Sequence, residues 1–211
     1  MHGVRAMGEL FVVSAPSGAG KSTLCRLVCQ SVKGVVYSVS HTTRPARVGE
    51  VHGLDYFFLD EESFQKMVDR GEFLEWAWVH HHRYGTSRGW LMERLEEGLD
   101  VILDVDVQGA EQIRASDLPA HFIFVLPPSV EVLRRRLWAR GTETSEEIER
   151  RLAWARGELS QWERFEFIIL NDELAEAAKD LESVIMAERC RLERKKAWVR
   201  ERFQHWIPYG K

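Results

Sequence analysis

Short apolar runs recur along this chain, and most are followed by a longer stretch whose apolar residues fall three or four apart. The runs are Leu10–Ser14, Val35–Val39, Val101–Val105, Phe122–Leu126 and Phe167–Leu170. Each is too short for a helix and rich in Val, Ile, Leu or Phe. Near-continuous hydrophobicity suits a strand buried on both faces. Helical spacing covers Lys21–Val32, Ser87–Glu97, Val130–Ala139, Glu146–Trp162 and a long stretch from Glu173 to about His205. Strands alternating with helices predict a parallel sheet flanked by helices, because parallel neighbours need a crossover between them. The expected fold class is α/β.

The rhythm breaks between about Ser40 and Arg88. Gly, Pro, aromatic and polar residues gather there, with strand patterns at Tyr56–Leu59 and Leu74–Val79. This segment reads as a small lobe inserted into the sheet core. A second irregular piece, Arg140-Gly141-Thr142-Glu143-Thr144-Ser145, joins two helical segments and reads as a mobile flap flanked by arginines.

Composition narrows the class. A chain of 211 residues is one domain, or one domain with small insertions, and 45% hydrophobic with 29% charged residues is ordinary for a globular enzyme. A formal charge of −4 argues against a nucleic-acid polymer as partner. No apolar run approaches the ~20 residues of a membrane span. Residues 1–8 have no apolar core of the signal-peptide kind and read as a disordered extension, with Met7 an alternative start. Three cysteines without C-x-x-C spacing point to a reducing cytoplasm. Apolar residues on the charged C-terminal helix leave room for a homodimer.

The strongest motif follows the first apolar run. Ala15-Pro16-Ser17-Gly18-Ala19-Gly20-Lys21-Ser22, continuing into Thr23, is a Gly-rich turn between strand and helix. In that context backbone N–H groups cradle phosphate oxygens, a lysine reaches the β- and γ-phosphates, and a hydroxyl faces Mg²⁺. Lys21 and Ser22 take those places. Ala15 stands where G-x-x-x-x-G-K-[ST] has its first glycine. Val101-Ile102-Leu103-Asp104 is an apolar run ending in a carboxylate, which would place Asp104 near Mg²⁺.

The inserted lobe is more specific. Ser38–Tyr56 resembles the monophosphate-binding segment of guanylate kinases. The likeness continues in order through Phe73–Ala77, Tyr84–Thr86, Ile102–Gly109, Pro127–Ser129, Arg140–Thr142 and Leu170–Asp172. It spans about Glu9 to Arg191. It implies a P-loop nucleoside-monophosphate-kinase fold: a core of residues 9–39 and 89–211, a GMP-binding lobe of about 40–88 and a lid of about 136–151. It implies the reaction MgATP + GMP ⇌ MgADP + GDP.

The residues fit that chemistry. Arg44 and Arg47 are spaced to grip a phosphate, since a guanidinium fork bonds two oxygens at once. Tyr56 and Tyr84 can donate hydroxyls to the same phosphate. The resemblance gives Glu75 the guanine edge, where an ionised carboxylate accepts from N1–H and N2–H₂. It sets Ser40 and Thr86 near the base and Asp106 at the pocket's edge. It brings Arg136, Arg140 and Arg151 over the triphosphate and Asn171 to the adenine. Lys21, Arg44, Arg136, Arg140 and Arg151 are the expected catalytic set. A rival reading is a guanylate-kinase-like protein-binding module, which typically lacks a working P-loop; a second is another monophosphate kinase.

Other features carry less. Successive residues of the triplet His80-His81-His82 point apart in an extended segment, so a strand end or loop is expected rather than a metal site. Cys25 and Cys29 are expected to face the core. The eight tryptophans are expected mostly to pack helices and the lobe, with Trp76 opposite Glu75.

Overall fold

The computed structural model describes residues 7–79, 81–139, 145–203 and 205–206. Its strands are β1 (Leu10–Ser14), β2 (Val35–Tyr37), β3 (His41–Thr42), β4 (Phe57–Phe58), β5 (Phe73–Val79), β6 (His82–Ser87), β7 (Asp100–Asp104), β8 (His121–Leu126) and β9 (Phe167–Leu170). Its helices are α1 (Lys21–Ser31), α2 (Glu61–Asp69), α3 (Arg88–Glu96), α4 (Val107–Arg114), α5 (Val130–Trp138), α6 (Ser145–Leu159), α7 (Leu174–Arg189) and α8 (Leu192–Phe203).

The five expected apolar runs form one parallel sheet in the order β2-β7-β1-β8-β9. β1 is central, and every one of its residues is buried. Side chains alternate across it. Phe11 and Val13 pack with Leu24, Cys25 and Val28 of α1 and Leu181 and Ile185 of α7. Leu10 and Val12 pack on the other side with Leu91 and Leu95 of α3 and Ile113 of α4. Cys25 therefore lies in the core, with Cys29 against it.

The inserted lobe is a second sheet, β4-β3-β6-β5, with α2 laid beside it. The β5–β6 pair is antiparallel and supplies most of it. Phe64 of α2 is fully buried and stacks on Phe73 at 4.6 Å. Gly85 permits this, because a Cβ there would stand 2.9 Å from the Phe73 ring. Trp76 lies on the face opposite Glu75, edge-on to Phe64. In the histidine triplet, His81 sits in the turn at φ 71° and His82 opens β6; His80 is outside the described residues.

Two expectations need correction. The C-terminal stretch is two helices, broken at Cys190–Arg191. Arg189 and Arg194 both reach the buried Asp100 carboxylate, at 2.7 and 3.2 Å. On one straight helix those positions would face about 140° apart, so the break lets both meet one acid. The tryptophans also differ: Trp78, Trp138, Trp154, Trp162, Trp198 and Trp206 are exposed. Arg83 lies over Trp78 and Arg202 over Trp198. Stacking a guanidinium on an indole lowers the cost of leaving it near water.

The same end of the sheet holds His121. Its Nε2 lies 3.0 Å from Glu9 and its Nδ1 3.6 Å from Glu188. The Glu9 hydrogen bond outweighs partial burial and raises the imidazole above its ordinary value. The folded state thus holds this proton more tightly. The stabilisation is fully present below the unfolded pKa and is lost as pH rises through the raised one. Urea melts of the native chain and His121→Gln are expected to diverge most on the acid side of the ordinary histidine pKa, the gap narrowing as pH rises through the raised value. A constant difference across that rise would remove His121 as the titrating group.

Candidate active site

The site is built on strand ends. β1 runs into the P-loop, β7 ends at Asp104, β2 ends at Tyr37, and Asn171 follows β9. In open parallel sheets, ligands lie beyond the carboxyl ends of the strands. A cleft of about 270 Å³ opens there. Ala15–Thr23, Tyr37, Asp104, Asp106, Arg151 and Glu158 line it from the core, and Ser40, Tyr56, Glu75 and Tyr84 from the lobe.

The loop's shape depends on its glycines. Gly18 and Gly20 have φ of 93° and 90°, values that L side chains rarely adopt. A Cβ on Gly20 would also stand 2.5 Å from the Asn171 amide nitrogen. Ala15 is not among the positive-φ residues, so the missing first glycine brings no backbone strain. α1 starts at Lys21 without a side-chain cap. Its first N–H groups, and the partial positive charge they carry, are left for an anion.

Lys21 is engaged on the core side. Its Nζ lies 2.6 Å from Asp104 Oδ1 and donates to the Val105 carbonyl. Burial works against the ammonium, but Asp104 beside it prevails and holds the pKa above the ordinary lysine value. The Tyr37 hydroxyl donates to the other Asp104 oxygen at 3.1 Å.

Glu75 faces the cleft from β5 but is only 5% exposed. Its Oε1 accepts from the Thr86 hydroxyl at 2.7 Å. Its Oε2 lies against Gly109, where a Cβ would be 2.6 Å away. Burial pushes its pKa up to about 7, the Thr86 bond opposing. A ligand that needs the ionised carboxylate should therefore bind more tightly as pH rises through 7. With Glu75 in the guanine-reading role that the resemblance implies, calorimetric titration of GMP is expected to gain about tenfold in affinity between pH ~6 and ~8. The gain specific to Glu75 should vanish in Glu75→Gln, which separates it from ionisation of the nucleotide's own phosphate.

Arg44 is held by the lobe. It donates to Tyr84 Oη at 3.2 Å, the Pro45 carbonyl at 2.8 Å and Glu50 at 2.8 Å, and lies over the Tyr56 ring. The Arg44 hydrogen bond holds Glu50 below the ordinary carboxylate value. Arg47 is exposed, and its backbone N–H donates to Glu50. Asp106 lines the cleft and also caps α4, accepting from Gly109 N–H at 2.8 Å.

Arg136 and Asn171, expected at the donor nucleotide, lie against the P-loop. Neither lines the cleft. Asn171, buried, donates to the Ala19 carbonyl at 2.7 Å, and Arg136 donates to the same carbonyl at 3.2 Å and to Asn171 O at 3.0 Å. The pair braces the P-loop from outside. Thr86 is buried beside Glu75, to which its hydroxyl donates. Arg140 and the flap residues 141–144 lie outside the described residues, and the expectation for Arg140 goes with them.

Three residues outside the expected site set hold members of it or their neighbours. Tyr37, Glu50 and Glu158 hold Asp104, Arg44 and Ser17 respectively. Glu50 alone had a signal, an acid inside an arginine-bearing loop. Among the described residues no group of three or more His, Cys, Asp or Glu could hold a metal ion.

The strand ends and the glycine-rich loop make this a P-loop α/β protein with a cleft shared between core and lobe. The family model described as guanylate kinase matches residues 7–188. A guanylate kinase of Geobacter metallireducens is 47% identical, covering 93% of this chain and 97% of that protein. One from Caldanaerobacter subterraneus is 43% identical, covering 92% and 94%. The crystal structure of guanylate kinase from Anaplasma phagocytophilum superposes with a TM-score of 0.78 at 32% identity, covering 94% of this chain and 97% of that one. The chain belongs to the guanylate kinase family.

Proposed function

We propose that this chain transfers the γ-phosphoryl group of ATP to GMP, giving ADP and GDP. The observation that carries this is one cleft lined both by the P-loop and by Ser40, Tyr56, Glu75 and Tyr84 of the lobe. A donor phosphate site and an acceptor site that share one cleft suit direct transfer between two nucleotides. The lobe of about residues 40–88 would take GMP, and the 136–151 segment would act as lid.

Joining two anions calls for charge neutralisation and in-line alignment more than for a base. Lys21 and the α1 N-terminus would hold the donor's phosphates, and Arg151 would add charge from α6. Arg44, Tyr56 and Tyr84 would hold the acceptor phosphate, with Arg47 at its outer side. Glu75 would read the guanine edge, and Ser40 would adapt to it. Mg²⁺ suits hard oxygen donors and commonly binds through one or two protein oxygens plus phosphates. Ser22 and Asp104, on the same cleft, are the fitting pair. When bound, the ion would spread the charge of the triphosphate.

No helix among the described residues is long and apolar enough to cross a membrane. The three cysteines are free, which suits a cytoplasmic enzyme. Self-association through exposed Met186, Leu192 and Trp198 is open to sedimentation velocity. A coupled ADP-release assay with GMP, AMP, dTMP and UMP tests the whole reading. Turnover with GMP far above the others is expected. Preference for another nucleotide, or no turnover with any, would overturn it.

A further inference from the structure

Two side chains of α6 converge on one P-loop residue. Arg151 Nη2 donates to Ser17 Oγ at 2.5 Å. The Glu158 carboxylate accepts the Ser17 backbone N–H at 3.0 Å. Seven positions make nearly two helical turns, so both side chains leave α6 on one face. Ala155 lies between them on that face and is buried. Both Arg151 and Glu158 line the cleft.

A carboxylate is an unexpected neighbour for a phosphate cradle. It would repel the triphosphate if it faced it, and burial already pushes its pKa up. Phosphoryl transfer between two anions needs no base there. What Glu158 does do is satisfy a loop N–H from a separate helix. That fixes where α6 sits along the loop, and with it where Arg151 ends.

We propose that Glu158 is a positioning residue for phosphoryl transfer: its carboxylate seats α6 on the Ser17 N–H and so aims Arg151 into the donor side of the cleft. The inference rests on the kinase reading above. It assigns Glu158 no contact with the reacting atoms. Its influence passes through Ser17 and Arg151.

Glu158→Leu removes the acceptor at similar bulk, and Glu158→Gln keeps an acceptor oxygen. Both are read by steady-state kinetics and by hydrogen exchange over residues 145–159 of the ligand-free chain. Glu158→Leu is expected to lower kcat about tenfold, since a misaimed group near the reacting phosphate is costly. KM for GMP should stay within about twofold, because Arg44 and Glu75 are untouched. Exchange over 145–159 should quicken. Glu158→Gln should keep kcat within about threefold and exchange at the native rate. Should Glu158→Leu not fold, Glu158→Ala is read in the same way. The proposal is overturned if the acceptor-free variant keeps kcat, if its exchange is unchanged, or if Glu158→Gln falls with it. The exchange measurement needs no turnover. Failure of the native chain to phosphorylate GMP would thus sink the kinase reading separately from the seat on Ser17.

Discussion

Lys21→Met is expected to lose at least ~100-fold in turnover, the scale seen when a main charge-stabilising group leaves an active site. Met keeps the length of the stem and loses only the ammonium. In the free protein that ammonium sits 2.6 Å from Asp104. In the proposed role it exchanges that carboxylate for phosphate when the donor arrives. GMP affinity should change little, since Arg44, Glu75, Tyr56 and Tyr84 all come from the lobe. Saturating kinetics give the first quantity and calorimetry the second. Near-normal turnover in a folded variant would remove the P-loop lysine from the chemistry.

The second large effect concerns base choice. Glu75→Gln replaces one acceptor oxygen with an amide that donates, so one guanine N–H loses its partner. An unpaired buried donor costs ~1–3 kcal/mol. KM for GMP should rise by about one to two orders of magnitude, the factor that energy gives. KM for ATP should barely move. The gap between GMP and AMP should narrow, because Gln can offer adenine N1 a donor. Thr86 sharpens the expectation: its hydroxyl already fills part of the Oε1 valence, so the other oxygen has to do most of the reading. If GMP affinity and the GMP-over-AMP preference are both unaltered, Asp106 becomes the next carboxylate to test.

What the sequence made legible follows from where the signals are local. Continuous apolar runs mark β1, β7 and β8 because those strands are buried on both faces; β9, at the sheet edge, carries the same signal yet buries Ile169 and leaves Ile168 and Leu170 exposed. The P-loop is legible because its glycines and Lys21 must adjoin one strand and one helix. β6 was not foreseen: His82–Ser87 is polar and aromatic by turns, and it becomes a strand through pairing with β5 and β3. α4 was hidden by its own cap, since Asp106 read as a pocket residue and not as the acid that accepts from Gly109 N–H. Asn171 and Arg136 were placed at the nucleotide because they follow the family's order of motifs. Their hold on the Ala19 carbonyl depends on how β9 and α5 pack beside the loop, and no spacing encodes that. Glu158 was missed for the opposite reason, since its partner is a backbone N–H and leaves no mark on the sequence.

The Asp100 clamp has a consequence for synthesis. Asp100 leaves the ribosome midway through the chain, whereas Arg189 and Arg194, which neutralise it, come near the end. A carboxylate this buried is strongly destabilising without its partners. The first half of the chain can form strands and helices early, but the end of the sheet that carries Asp100 stays destabilised until Arg189 of α7 and Arg194 of α8 are delivered. Ribosome-bound chains halted before Arg189 should therefore remain open to proteolysis around β7, however complete the P-loop already is.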